Sequence, residues 1–250
     1  MNTMLKKILC AVVLVMVFVT SCFARDDNKD RFLNLCKNGT VEEFNRIMKN
    51  VGGPNILLDN DDNSPLIIAT KWGMFGIVRR LIDMGADVNH ADIFGNTALV
   101  WASCFKNLKI MQYLLDHGAS LTTVDSTGVR NPILDRLYEY HYTHMSTYDY
   151  EFYEAIKLLL RNGYSYTDQG KSKNTFVHHL CYDREIELTK MKTFYNLSPD
   201  AFKKCLTIRN SRGLTPIDVL KDGNVVKREK REIISFFNEL MGKQMLNPYE

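Results

Sequence analysis

Two pairs of histidines and a scatter of cysteines are the residues whose types and spacing could do chemistry. His141 and His144 are separated by two residues, which places both imidazoles on one helical face, and His178 and His179 are adjacent. Imidazoles gathered in this way hold zinc or copper. Adjacent His178 and His179 point in different directions, however, so the four histidines read better as structural or surface side chains, and no metal or cofactor is expected. Cys36, Cys104, Cys181 and Cys205 would pair in an oxidising compartment. Acyl or phosphoryl chemistry would need further signals. No phosphate-cradling glycine loop, dinucleotide glycine pattern, G-x-S-x-G or H-E-x-x-H occurs, and the chain is not expected to be an enzyme.

The elements that must position these residues follow from a period of 33. Asp59, Asp92 and Asp125 are spaced by 33, as are Leu66 and Leu99, Ala69 and Ala102, Gly85 and Gly118, and Ala86 and Ala119. Self-similarity at a fixed period marks a repeat architecture. Within one period the local chemistry is legible. Ser64 is placed to cap a helix whose first turn holds Pro65, where the missing N–H costs nothing. Leu66 and Ala69 share one face of that helix, and Gly73 supplies the left-handed residue that ends it. Ile77, Val78, Leu81 and Ile82 form the apolar stripe of a second helix, which Gly85 stops. The chain then leaves through "ADVNHAD" as an extended finger.

This pattern resembles the ankyrin repeat, with its D-x-x-G-x-T-P-L-H-x-A followed by V-x-x-L-L-x-x-G-A-D-x-N. Residues 59–91 and 92–124 match most closely, through "DIFGNTAL", "GADVN" and "DHGASL". The third unit opens at Asp125-Ser126-Thr127-Gly128 and reaches "AIKLLLRNG" after about a dozen extra residues. The fourth carries "NTFVHHLC", and the fifth opens "NSRGLTPIDVL" and closes on "REIISFFNELM". The resemblance implies an all-α ankyrin-repeat solenoid of stacked helix-turn-helix units with β-turn fingers over residues 25–250. It has a cap near 30–56, repeats at 59–91, 92–124, 125–167 and 168–209, and a C-terminal cap at 210–250. Lys227, Arg228, Lys230 and Arg231 read as the solvated outer face of that cap. Lys106 stands where the loop glycine belongs, which should strain that turn or force a different one. Cys36 and Cys181 fall at one equivalent position, where a small buried residue belongs, so the cysteines read as free core residues.

Ankyrin proteins bind other proteins through finger tips and first helices, which line a concave face. Carried over position by position, the first full repeat would present Asn60, Asp61 and Asn63 with Lys71 and Trp72. The second would present Ile93, Phe94 and Asn96 with Cys104 and Phe105. The third would present Ser126, Thr127 and Val129, and the fourth Lys171, Ser172 and Asn174 with Tyr182 and Asp183. Trp72, Ile93, Phe94 and Phe105 are apolar at positions the family leaves facing outward, the signature of a binding hot spot. His178 occupies the position where the family uses a structural histidine.

An insertion, "YEYHYTHMSTYDYEFY", places seven aromatic residues in 16. Such density serves either binding, where stiff tyrosines make contacts at low entropic cost, or packing as an extended second helix over the neighbouring repeat. Both readings stand at this point.

The N-terminus carries an address. Lys6 and Lys7 precede an apolar run from Ile8 to Val19, too short for a comfortable membrane span, and small polar residues follow. Two exits compete: cleavage after Ala24, or lipidation of Cys22, since Val19-Thr20-Ser21-Cys22 resembles a bacterial lipobox. Either makes residues 1–24 an export signal and the protein periplasmic, membrane-anchored or secreted. Asn38-Gly39-Thr40 and Asn196-Leu197-Ser198 match the glycosylation pattern but carry no meaning on a bacterial route. The formal charge of +3 loses Lys6 and Lys7 with the signal and falls to +1, so neither nucleic acid nor an anionic membrane is an expected partner. The expectation is a monomer that binds a protein, touching membrane only through an N-terminal lipid. The alternatives are an envelope protein that binds metal or a small ligand through the His- and Tyr-rich insertion, or a secreted factor that binds host proteins.

Overall fold

The computed structural model describes residues 30–48, 52–124, 128, 130–144, 150–183, 186–223 and 227–242. The export signal, Cys22, Ser126, Thr127 and Val129 lie outside the described residues. The chain divides into two compact units, at Ile93 and Phe94.

The first unit contains α1 (residues 30–38), α2 (Val41–Met48), α3 (Pro65–Lys71) and α4 (Phe75–Asp83). The capping chemistry is as the sequence predicts: Ser64 Oγ accepts from Ile67 N at 3.3 Å, and Pro65 is the first residue of α3. Leu66, Ala69, Ile77, Val78 and Leu81 are buried between α3 and α4. Phe32 of α1 packs on Phe44 of α2 with ring centroids 5.2 Å apart. Gly76 admits α2 closely, since a Cβ there would meet Val41 Cγ2 at 2.9 Å.

The second unit runs through α5 (Ala98–Cys104), α6 (Leu108–Asp116), a short antiparallel hairpin of β1 (Thr122–Val124) and β2 (Arg130–Pro132), then α7 (Ile133–His144) and α8 (Tyr150–Arg161). It continues with α9 (Phe176–Tyr182), α10 (Leu188–Leu197), α11 (Pro199–Cys205), α12 (Pro216–Asp222) and α13 (Lys227–Leu240). The insertion lengthens both helices of the third repeat, so α7 and α8 each have 12 residues. Its described rings pack rather than project. Tyr138, Phe152 and Tyr153 are buried, and Tyr140 sits edge-on against Trp101 and Phe105. The fourth repeat holds an unexpected extra helix, α11, with Pro199 at its first position and Asp200 in its first turn. Among the described residues no helix is long and apolar enough to cross a membrane.

One backbone feature recurs in every finger. The residue three after the finger's opening residue is left-handed: Asp62 (φ 57°), Gly95 (78°), Gly128 (79°), Lys173 (53°) and Gly213 (75°). Glycine takes this conformation freely, whereas Lys173 does so at a cost of about 1 kcal/mol. Lys106 adopts φ 57°, the conformation Gly73 holds at φ 68° one repeat earlier, so the turn keeps its shape and bears the strain. In the first and fifth fingers the opening residue fixes the finger by side-chain acceptance. Asp59 Oδ1 takes the N–H groups of Asp61 and Asn63, and Asn210 Oδ1 those of Arg212 and Leu214. Adjacent fingers are joined edge to edge, by Ile93 N to Asp61 O at 3.0 Å in the first unit and Ser211 N to Ser172 O at 2.9 Å in the second.

Cys36, Cys104, Cys181 and Cys205 are free and buried. Burial pushes the thiols of Cys36 and Cys104 up to about 12 and that of Cys205 to about 11, which keeps them as inert core thiols. The basic run of α13 does more than solvate a cap. Lys230 Nζ donates to Lys221 O at 2.9 Å and Gly223 O at 2.7 Å, satisfying carbonyls at the end of α12, while Arg228 pairs with Glu232 in solvent.

Candidate partner-binding surface

In the first unit the finger and first-helix positions divide into exposed and structural residues. Trp72, at the end of α3, is 59% exposed, with Lys37 Nζ 5.9 Å from its ring centre. Asn60 and Asp61 are exposed at the tip, and Ile93 is 43% exposed. Asn63, expected to face a partner, is 3% exposed. Its amide nitrogen is held by both carboxylate oxygens of Asp59 and its oxygen accepts from Lys71 Nζ at 3.0 Å, so its side chain is used within the finger. Lys71 is half-buried. Burial lowers its pKa, against the opposing pull of Asp92, Asp59 and Asp61.

In the second unit Phe94 is 58% exposed at its finger tip and Phe105 is 45% exposed at the end of α5. Phe105 stacks on Trp101 at 5.9 Å while Tyr140 meets both rings edge-on, leaving one side of Phe105 to solvent. Asn96 is half-buried. Cys104 and Asp183 are buried, contrary to the outward placement expected for them. Cys104 is one of the buried side chains of α5, and Asp183 accepts a hydrogen bond from Tyr153. Tyr182 is half-buried, its hydroxyl 3.5 Å from Asn210 Nδ2.

Tyr182 also lines a cavity of about 590 Å³, with Asp135, Arg136 and Tyr138 of α7, Lys171 and Asn174 of the fourth finger, and His179 of α9. His179 Nε2 lies 2.8 Å from Asp135 Oδ1, and its ring stacks on Tyr138 at 4.5 Å. The fourth finger opens with Gly170 where other repeats carry Asp or Asn. A Cβ there would lie 2.2 Å from Asp135 Oδ2, so the carboxylate of the preceding repeat occupies the space that an opening side chain would take. Among the described residues no three His, Cys, Asp or Glu side chains gather as a metal site requires, and the side chains of His141 and His144 are outside them.

His178 is not part of the cavity lining. Its Nδ1 accepts from Thr175 N at 3.1 Å and from Thr175 Oγ1 at 2.8 Å, and its Nε2 donates to Leu214 O at 2.9 Å in the next repeat.

These helix pairs and fingers coincide with a known family: residues 32–125 match the model described as "Ankyrin repeats (3 copies)". Over residues 32–125 the chain is similar to ankyrin repeats. Similar proteins include the human neurogenic locus notch homolog protein 2, 39% identical over 67 residues, which are 27% of this chain and 3% of that protein. The rat ankyrin repeat and SAM domain-containing protein 6 is 37% identical over 73 residues, 29% of this chain and 8% of the relative. The zebrafish neurogenic locus notch homolog protein 1 is 28% identical over 116 residues, 39% of this chain and 5% of the relative. The chain thus spans under a tenth of the length of these relatives. The fold is the all-α ankyrin-repeat class. Ankyrin repeats generally mediate protein–protein interaction and are typically non-enzymatic scaffolds.

The register carried over from the ankyrin pattern therefore found Trp72, Ile93, Phe94 and Phe105 as exposed apolar side chains and misplaced Asn63, Cys104 and Asp183. It did not find Asp135 or Arg136, and it set His179 aside as a structural or surface side chain; the three lie on α7 and α9. The glycine at position 170, in place of a finger carboxylate, was the one local signal that something else fills that space.

Proposed function

We propose that this protein binds a protein partner through its finger tips and the ends of its first helices, and that it does so outside the cytoplasm. The observation that carries the binding reading is the exposure of Trp72 and Ile93 in the first unit and of Phe94 and Phe105 in the second, because large apolar side chains held in water at positions of partner contact are what a hot spot requires. Asn60, Asp61, Asn96 and Tyr182 supply polar register around them. Affinity capture with the protein and with Trp72→Ala/Phe94→Ala/Phe105→Ala tests it: the parent should enrich a partner that the variant loses at least tenfold, consistent with hot-spot truncations of more than about 1.4 kcal/mol. Equal capture by both proteins would sink the reading.

Export is supported by Lys6-Lys7, the apolar run to Val19 and the small residues before Cys22. Acylation at Cys22 is the favoured exit, since more than one acyl chain anchors a protein stably. In a bacterial host the tagged protein should fractionate with membranes, and Cys22→Ala should release it to the soluble fraction. If the variant stays with membranes to the same extent, Cys22 is not the anchor.

A further inference from the structure

We infer that the cavity in the second unit receives the carboxylate of an acidic side chain presented by the bound protein. The source of that carboxylate rests on the protein-binding reading above; the chemistry of the cavity does not. Its position is the first support. The cavity is bounded by α7, the fourth finger and α9, and Lys171 and Tyr182 in its wall occupy finger-tip and first-helix positions.

The second support is a balance of hydrogen-bonding groups. Asp135 already accepts from His179, and Glu139 accepts from Arg136 Nη1 at 3.2 Å, so the two acids that line the cavity are engaged. The donors are not so balanced. Arg136 Nε is buried without an acceptor, and Lys171 is exposed at the rim with no ion pair to any described residue. Two cationic donors short of an acceptor call for an anion. A planar carboxylate suits the guanidinium fork of Arg136, with the Lys171 ammonium as a point charge at its outer oxygen. Gly170 leaves room for the Asp135 carboxylate, because any larger residue there would displace Asp135 and with it His179. Tyr138 and Tyr182 give apolar walls to the side-chain stem.

The test uses the purified, isotopically labelled protein and two blocked amino acids, N-acetyl-glutamate N-methylamide and the glutamine counterpart, followed by backbone amide shifts. The glutamate probe should give saturable shifts at residues 131–139 and 171–182 with a dissociation constant on the order of a millimolar, the affinity expected of so few atoms. Arg136→Gln and Lys171→Gln should each weaken it about tenfold. Lys171 is exposed, so its variant keeps the fold and the test stands if Arg136→Gln does not fold. Equal shifts from the glutamine probe, absence of saturation, or indifference to Lys171→Gln would overturn the proposal. Inorganic phosphate binding there tenfold more tightly than the glutamate probe would also overturn it, by assigning the cavity to a phosphate. A saturable glutamate site in a protein that captures no partner would defeat the protein-binding reading and leave the cavity's chemistry standing.

Discussion

Replacing Phe202 with alanine is expected to cost the second unit about 3–5 kcal/mol, the range for deleting a fully buried aromatic ring. Phe202 is completely buried, and its ring meets Tyr195 at 5.8 Å, Phe237 at 6.0 Å and Tyr166 at 6.4 Å, all in edge-on geometry. Such pairs contribute beyond the area they bury, and three of them converge on one ring. The ring stands on α11, the helix that the 33-residue register has no place for. If α11 were a peripheral addition, its loss would be felt locally and weakly. Because Phe202 reaches a finger residue, a helix of the fourth repeat and the terminal helix α13, its truncation should lower the urea midpoint of the whole unit. Phe202→Leu, which keeps most of the volume, should cost less than half as much. A loss below about 1 kcal/mol for Phe202→Ala, far outside the aromatic range, would show that α11 is not part of the cooperative core.

The sequence carried the repeats well because their determinants are local. A cap at Ser64, a proline at the next residue, a left-handed Gly73 and an apolar stripe from Ile77 to Ile82 lie within 19 residues and need no distant partner to be read. The turns that end the first helices were legible for the same reason, down to the strained Lys106. What escaped was set by contact over longer separations. Asp135 and His179 are 44 apart in the chain and meet only because successive repeats stack, so their pairing does not appear until the stack is built. Asn63 illustrates a different failure. Its register position is outward, yet a short amide between the Asp59 carboxylate and the Lys71 ammonium is drawn inward by two hydrogen-bonding partners. In α11 the signal was present, as Ser198-Pro199-Asp200, the cap, first-position proline and first-turn acid of a helix start.

The same stacking logic makes His178 a determinant of acid stability. Its Nδ1 receives the Thr175 N–H and hydroxyl, so that nitrogen carries no proton and the neutral ring has its hydrogen on Nε2, directed at Leu214 O. Protonation would place a second hydrogen on Nδ1 facing the Thr175 N–H, donor against donor. Burial is the main cause that lowers the His178 pKa below its ordinary 6.5; His179 adds to the lowering, and the Leu214 carbonyl opposes it. With the folded pKa depressed, the unfolded chain binds the proton more readily. The stabilisation from His178 is therefore complete above about pH 6.5 and is lost as pH falls through the folded value. His178→Ala removes a cap from a fully buried Thr175 and the link to the next repeat, and should cost about 2–4 kcal/mol at pH 7.5. His178→Gln keeps an acceptor at the third helical position, as a capping box does, and should cost less. Urea unfolding at pH 7.5 and pH 5 separates the two roles. The parent should lose more stability between these values than His178→Gln does, since glutamine does not titrate. An equal loss in both proteins would remove His178 as the acid-sensitive group and leave it a purely geometric tie between repeats.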